Sequence, residues 1–156
     1  MTDMPALARA ALRETEEFHA FLRDWLVGAL PRTPAAFARM SEVMAPDLRV
    51  ISPLGTTTEA AALLTEFEAL HGELADRADV FAISVEAPAH VHTAGDCTLV
   101  TYEEHHRLAG GHSARLATAL YRAREGTPNG VEWLHVHETW LPHLAPAGGE
   151  RFPEAG

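Results

Sequence analysis

The sequence predicts an α+β domain in which three N-terminal helices pack against one curved antiparallel sheet. Two patterns along the chain support this class. Apolar residues recur every three or four positions in the first half, as on the buried face of a helix, whereas from Val80 onward they alternate with polar residues, as in strands. The chain of 156 residues also suffices for one hydrophobic core, which we place in a single domain over residues 1–144.

The helices are predicted from their apolar spacing and from the signals at their ends. Thr33 followed by Pro34 combines a helix N-cap with a proline in the first turn, and Gly72 suits a helix C-cap. Gly28 and Pro31 end the first helix. We therefore expect helices over residues 6–30, 34–45 and 57–71, with a short strand over residues 48–52 between the second and the third.

The strands are predicted from alternation and from turn residues. Gly95–Asp96, Gly110–Gly111 and Thr127–Gly130 mark turns between alternating segments. Pro88 cannot donate to a strand ladder, so it must lie at a sheet edge or in a bulge. We expect strands over residues 80–93, 98–108, 113–124 and 131–142, followed by a flexible C-terminal tail over residues 145–156.

The register of the strands follows from where two of these turns are centred. A tight hairpin about Gly110–Gly111 places Tyr102 opposite Ala119. A turn about Pro128–Asn129 places Ala119 near His137. One face of the predicted sheet then carries polar and aromatic side chains, namely Tyr102, Glu104, His106, Arg115, Tyr121, Trp133, His135, His137 and Thr139.

The opposite face of the predicted sheet is apolar. Its large side chains are those of Leu116, Leu120, Leu134, Val136 and Trp140. An apolar patch of this kind is typical of an interface between two copies of a chain, although the tail or the first helix of the same chain could also cover it. We expect a homodimer formed through the sheet.

Composition argues against several classes of partner. The formal net charge is −10 and there is no basic cluster, so we expect no nucleic acid. No stretch approaches the roughly 18 apolar residues that span a bilayer, and the N-terminus lacks the order of a signal peptide. The single Cys97 indicates a reducing compartment. We therefore expect a cytoplasmic protein without a membrane partner.

The polar face combines groups that can exchange protons. Glu104 supplies a carboxylate, Arg115 a guanidinium, and three histidines supply imidazoles. Burial and neighbouring charges can bring such pKa values near 7, as acid–base catalysis requires. The same residues are compatible with passive ligand binding, or with a structural ion pair between Glu104 and Arg115, and the sequence leaves these three interpretations open.

A metal site was weighed because His-x-His occurs twice, ending at His92 and at His137. Alternation places both rings of each pair on one face of a strand, which suits a metal ion. The cupin-like pattern also requires a glutamate separated from the second histidine by three or four residues, where this chain has Leu141 and Pro142. We predict no metal and no other cofactor.

The segment APAHVHTAGDCTLVTYEEHH, with VEWLHVHETWLP after it, looks like the second half of nuclear transport factor 2-like (NTF2-like) proteins, and is most similar to the SnoaL-like members. It also resembles the association domain of calcium/calmodulin-dependent protein kinase II (CaMKII). The resemblance implies a cone-shaped sheet around a cavity, and a homodimer through the sheet. It implies cavity positions for Tyr102, Glu104, Arg115, His135 and His137, and positions at the cavity mouth for Phe18, Phe21 and Trp25.

Two hypotheses of function follow. In the first, the domain binds a small carbonyl compound and moves its protons without a cofactor, with His137 or Glu104 as the base and with Arg115 and Tyr102 stabilising the oxygen. In the second, it is a non-enzymatic ligand-binding or assembly module. The predicted ligand contacts are His135, Trp133, His106, Tyr121, Trp25 and Phe21.

Overall fold

The computed structural model describes residues 3–147, which form three α-helices and one six-stranded sheet. The predicted α+β order of helices followed by long strands is confirmed. Residues 148–156, most of the predicted tail, lie outside the described residues. The elements are α1 (Ala6–Leu26), α2 (Pro34–Ser41), β1 (Met44–Ile51), β2 (Thr57–Glu59), α3 (Ala60–Ala69), β3 (Phe81–Ala94), β4 (Cys97–Leu108), β5 (Gly111–Ala123) and β6 (Val131–Trp140).

The segment before α3 is a strand rather than the first turn of that helix. Thr57–Glu59 forms β2, and Thr58 lies opposite Val50 of β1. Threonine is β-branched and packs well on a pleated surface, which favours this pairing over an early helix start. As a result, α3 begins at Ala60.

The position of β1 in the sheet was not evident from the turn signals. The strand order is β2-β1-β6-β5-β4-β3. Strands β3 to β6 pair antiparallel, as predicted, but β1 pairs with β6 in parallel, so the sheet is mixed. Parallel neighbours need a long crossover rather than a hairpin, and here the connection contains α3 and four strands. The helices cover one face, with α1 against β3, β4 and β6 and with α3 against β1.

The β4–β5 hairpin turns at Ala109–Gly110, one residue earlier than predicted. Both residues have positive φ angles, 47° and 93°, as a two-residue type I′ turn requires. Tyr102 therefore lies opposite Ala117 rather than Ala119. Because side chains alternate with a period of two, this displacement of two residues leaves the predicted faces of β4 and β5 unchanged.

A β-bulge in β6 changes which of its side chains face inward. Leu120 and Tyr121 are adjacent on β5, but their partners on β6, His135 and Trp133, are separated by Leu134. Leu134 is thus an extra residue without a partner across this pair of strands. A single extra residue inverts the alternation of every side chain that follows it.

The prediction for the second half of β6 is wrong for this reason. His137 lies opposite Thr118 rather than near Ala119, and Val136 takes the place opposite Ala119. His135 and His137 therefore point to the outer face of the sheet, away from the helices. Val136 and Trp140, predicted for the outer face, take inner positions by the same inversion.

Helix α1 presents a polar stripe to the sheet. Glu14, Thr15 and His19 are all buried. The Glu14 carboxylate accepts hydrogen bonds from Arg39 at 2.9 and 3.0 Å, and the hydroxyl groups of Thr15 and Tyr121 lie 2.6 Å apart. Buried polar groups require partners of this kind, so the contacts fix the position of α1 over the sheet.

The turn at Ala109 provides a test of the hairpin geometry. Asn tolerates a positive φ angle better than Ala, so we expect Ala109→Asn to raise the free energy of unfolding by about 0.5–1 kcal/mol. Ala109→Val, a β-branched residue at the same position, should lower it by about 1 kcal/mol or more. Urea denaturation of the two variants measures both changes. Equal stability of the two variants would contradict the turn described.

Candidate functional site

A cavity of about 160 Å³ lies between α1, α3 and the inner face of the sheet. Leucine side chains of α1, β1 and α3 form much of its wall. Polar side chains form the remainder, and most of them come from neighbouring strands. They are His19, Ser52, Thr58, Glu66, Tyr102, Glu104, His106, Arg115 and Glu138.

Strand alternation explains most of this polar wall. Tyr102, Glu104 and His106 occupy every second position of β4 and therefore share the inner face. Arg115 of β5 lies directly opposite Glu104. Glu138 reaches the same face of β6 only because it follows the bulge.

Glu104 is a buried carboxylate that contacts two imidazoles. His106 Nε2 donates a hydrogen bond to Glu104 Oε1 at 2.6 Å, and His19 Nε2 lies 3.1 Å from Glu104 Oε2. Burial alone raises the pKa of Glu104, but the two histidines lower it by more, so the pKa lies well below its usual range. Glu104 is therefore ionised at neutral pH.

His19 carries the proton that this carboxylate requires. Its Nδ1 lies 2.7 Å from the carbonyl oxygen of Thr15, which can only accept, so Nδ1 must donate. Burial lowers the pKa of His19, but the charge and hydrogen bond of Glu104 raise it by more, leaving it above the ordinary value. The imidazolium form, which donates from Nε2 to Glu104, is therefore favoured.

Arg115 and Glu138 form a second ion pair across the cavity wall. Arg115 donates to Glu138 Oε2 at 2.9 Å, and its guanidinium carbon lies 4.8 Å from the ring centroid of Trp140. Burial raises the pKa of Glu138, Arg115 lowers it, and the negative charge of Glu104 raises it again, with a net increase. The environments of the two carboxylates therefore shift their pKa values in opposite directions, which is typical of acid–base sites.

Tyr102 is a neutral hydroxyl donor at this wall. The residue is 2% exposed, and its ring centroid lies 5.4 Å from that of His19. Burial, with the nearby carboxylates, raises the pKa of the phenol well above its ordinary value, so the hydroxyl keeps its proton. Tyr102 lines the cavity, and among residues 3–147 no hydrogen bond to its hydroxyl is formed.

Half of the predicted site residues line the cavity. They are Tyr102, Glu104, His106, Arg115 and Trp133. Trp133 precedes the bulge and so keeps the inner position expected of it, whereas the residues after the bulge do not. The chemical roles assigned to these five side chains stay predictions.

The other predicted residues lie elsewhere. His135 and His137 are on the outer face, where His137 is exposed. Tyr121 lies behind the wall, with its hydroxyl against Thr15. Of the three aromatic residues expected at the mouth, Phe18 lines the cavity, whereas Phe21 and Trp25 stack on each other, with their ring centroids 5.8 Å apart. The cavity lining includes none of the five residues His135, His137, Tyr121, Phe21 and Trp25.

Two lining residues, His19 and Glu138, are missing from the predicted site. His19 follows Thr15 by four positions on the buried stripe of α1, so the helical period could have indicated it. Glu138 could not be found in this way. Its inward position depends on the bulge at Leu134, and no residue of VEWLHVHETW is a turn former that would mark one.

Two further features concern metal ions and membranes. Within residues 3–147, no group of three His, Cys, Asp or Glu side chains is arranged to hold a metal ion. His90, from the first His-x-His pair, instead contacts the hydroxyl of Thr93 at 2.8 Å. In the same part of the chain, no α-helix combines the length and the apolar character needed to cross a bilayer.

Solved structures with similar folds confirm the predicted fold. An NTF2-like protein of unknown function from Pseudomonas aeruginosa aligns with a TM-score of 0.71 and 24% identity, over 85% of this chain and 98% of its own. The CaMKII hub of S. rosetta aligns with a TM-score of 0.56 and 18% identity, over 90% and 100%. A provisionally assigned ketosteroid isomerase from Parabacteroides distasonis aligns with a TM-score of 0.51 and 17% identity, over 83% and 89%. At these identities the similarity shows the NTF2-like fold alone.

Sequence comparison identifies a more specific relationship. Sucrose-phosphatase 2 of Nicotiana tabacum is 24% identical over 129 residues, which are 82% of this chain but 30% of the phosphatase. The chain thus spans less than a third of this curated relative. A family model described as sucrose-6-phosphate phosphohydrolase C-terminal matches residues 11–142, which is most of the domain described above. The chain belongs to the sucrose-6-phosphate phosphohydrolase C-terminal family.

Proposed function

We propose that this domain binds a small molecule in the cavity between α1, α3 and the sheet. The observation that carries the proposal is a buried set of polar groups, Tyr102, Glu104 and Arg115 among them, on one wall of a largely apolar cavity. Small-molecule sites typically combine apolar walls with a few fixed polar groups. The ketosteroid isomerase name of one structural neighbour also favours a small-molecule ligand.

The proposal does not include hydrolysis of a sugar phosphate. A phosphate monoester carries almost two negative charges at neutral pH. The cavity would place it beside Glu104 and Glu138, whose own cationic partners are already engaged. The phosphatase names belong to proteins about three times as long as this chain, and the part that matches it is a minority of their sequence.

Binding can be tested with cyclohexanone and cyclohexanol as probes. In ¹H–¹⁵N spectra of the labelled protein, we expect both probes to shift amide signals of β4, β6 and α1 around the cavity. Tyr102→Phe removes the hydroxyl donor and should weaken cyclohexanone binding by about fivefold or more. His137→Ala, on the outer face of β6, is the matched control. Shifts confined to surface residues would refute the proposal, and equal affinities in the two variants would refute the contact with Tyr102.

A more specific form of this proposal is acid–base catalysis on a bound carbonyl compound. The contact of Glu104 with two imidazoles favours catalysis, because these three side chains can donate and accept protons beside the cavity. We propose that protons are exchanged through this group and that Tyr102 and Arg115 stabilise the oxygen. His137, the base first considered, has no part in this version because it faces outward.

The titration of His19 tests the electrostatics on which this chemistry depends. NMR of the histidine rings should give a pKa above 6.5 for His19, because Glu104 stabilises the imidazolium. The contribution of this contact to the free energy of unfolding is therefore fully present below about pH 6.5, and it is lost as the pH rises through the raised pKa of His19. In Glu104→Gln, burial acts without the opposing charge, so the pKa should fall below 6.5. Glu103→Gln, on the outer face of β4, should leave it unchanged, and a pKa unaffected by Glu104→Gln would disprove the assignment.

Self-assembly is a second candidate function, supported by the outer face of the sheet. Leu116 is 38% exposed there and lies between Glu103 and Thr139 on the neighbouring strands. Leu120, which is half-buried, shares this face of β5, and contiguous apolar side chains on a surface can mark a protein–protein interface. The hub names of two structural neighbours point in the same direction. We propose a homodimer through this face, which could coexist with a ligand in the cavity.

The dimer can be tested by placing a charge on the outer face. Leu116→Glu should convert a dimer to a monomer in light scattering after gel filtration, because the second copy would bury an unpaired carboxylate. Leu54→Glu is the matched control, since Leu54 is also exposed but lies in the turn between β1 and β2. A wild-type protein that is monomeric at high concentration would exclude the interface.

A further inference from the structure

The cavity wall has hydrogen-bonding capacity that the described residues do not use. Glu138 receives one hydrogen bond, from Arg115 to Oε2, and among residues 3–147 its second oxygen, Oε1, accepts none. The Glu138 side chain is 11% exposed. An ionised carboxylate can accept about four hydrogen bonds, so an incoming group would have to be a donor to satisfy it.

Tyr102 is the second group with unused capacity. Its residue is 2% exposed, and its hydroxyl, at the same wall, has no hydrogen bond within the described chain. A phenol can accept a hydrogen bond as well as donate one. A ligand group with several N–H donors could therefore contact both Tyr102 and Glu138.

The charges of the wall favour a cationic donor. Three glutamates line the cavity, against one arginine and two histidines. The carboxylate of Glu138 experiences the negative charge of Glu104 in addition to its own burial. A positive charge beside Glu138 would relieve both effects, because it stabilises the ionised form of a desolvated carboxylate.

The remaining walls suit the rest of such a ligand. The rings of Phe18 and Trp133 lie 5.0 Å apart between centroids, and both line the cavity. Aromatic faces attract cations, and they also pack against compact apolar groups. Leucines of α1 and α3 complete this apolar part.

We infer that the ligand carries a protonated amine on a compact apolar body. The ammonium group donates to Glu138 and to the Tyr102 oxygen, and the apolar body packs against Phe18 and Trp133. This inference rests on the proposed small-molecule function and specifies its ligand class.

The test uses three probes that share one ring, namely cyclohexylamine, cyclohexanol and cyclohexanecarboxylate. At pH 7 the amine is protonated, since alkyl ammonium groups have pKa values near 10. Affinities are measured from amide shifts in ¹H–¹⁵N spectra of the full chain. We expect the amine to bind about tenfold more tightly than the alcohol, and the carboxylate to bind most weakly. Glu138→Gln should remove the preference for the amine over the alcohol, and Glu103→Gln, on the outer face, should retain it.

The outcomes separate the two proposals. If the alcohol or the carboxylate binds at the cavity as tightly as the amine, the amine assignment is overturned and the small-molecule function stands. If none of the probes shifts cavity residues, both are overturned. If Glu138→Gln does not fold, the ranking of the three probes on the wild-type protein decides the assignment alone.

Discussion

The buried carboxylate of Glu104 is the constraint on which the arrangement of the cavity depends. An ionised carboxylate inside a protein is strongly unfavourable unless charged or hydrogen-bonding partners surround it. One partner, His106, comes from the same strand, but the other, His19, comes from α1. The helix must therefore lie where His19 can reach the sheet. Thr15 and Glu14, on the same stripe of α1, make contacts that hold the helix in this position. The packing of the helix and the electrostatics of the cavity therefore depend on each other.

The two carboxylates of the cavity differ because their surroundings differ. Glu104 has two imidazoles within hydrogen-bond distance, which outweigh its burial. Glu138 has one guanidinium, which also packs against Trp140, and the pull of this partner is weaker than the combined effect of burial and of Glu104. One carboxylate is thus a fixed charge, and the other is easier to protonate. The cavity thus combines a fixed negative charge with a carboxylate that takes up a proton more readily than usual.

Short-range periodicity was enough to predict β4 and β5. Alternation placed Tyr102, Glu104 and His106 on one face of the sheet. The predicted turn was centred one residue from its true position, which shifted each cross-strand partner by two residues and so left the predicted faces unchanged. The faces of the second half of β6 could not be predicted. The unpaired residue Leu134 reverses the face of each side chain after it, and no turn-forming residue in the strand marks the bulge. The parallel pairing of β1 with β6 was also inaccessible, since it joins segments far apart in the chain and involves no turn.

The bulge at Leu134 has a consequence for how this family can diversify. The second half of β6 carries two different sets of side chains, one of imidazoles and one that includes Glu138, and the bulge at Leu134 determines which set reaches the cavity. Regular pairing of β6 with all its residues kept would exchange the sets, presenting His135 and His137 to the cavity and moving Glu138 outside. Deleting Leu134 would remove the bulge and leave both sets on their present faces. Loss of the bulge without loss of a residue would thus alter the chemistry of the cavity more than most substitutions could. Alignments of relatives that place gaps freely in this strand would misassign its site residues, so lineages should be compared by bulge position before they are compared by residue identity.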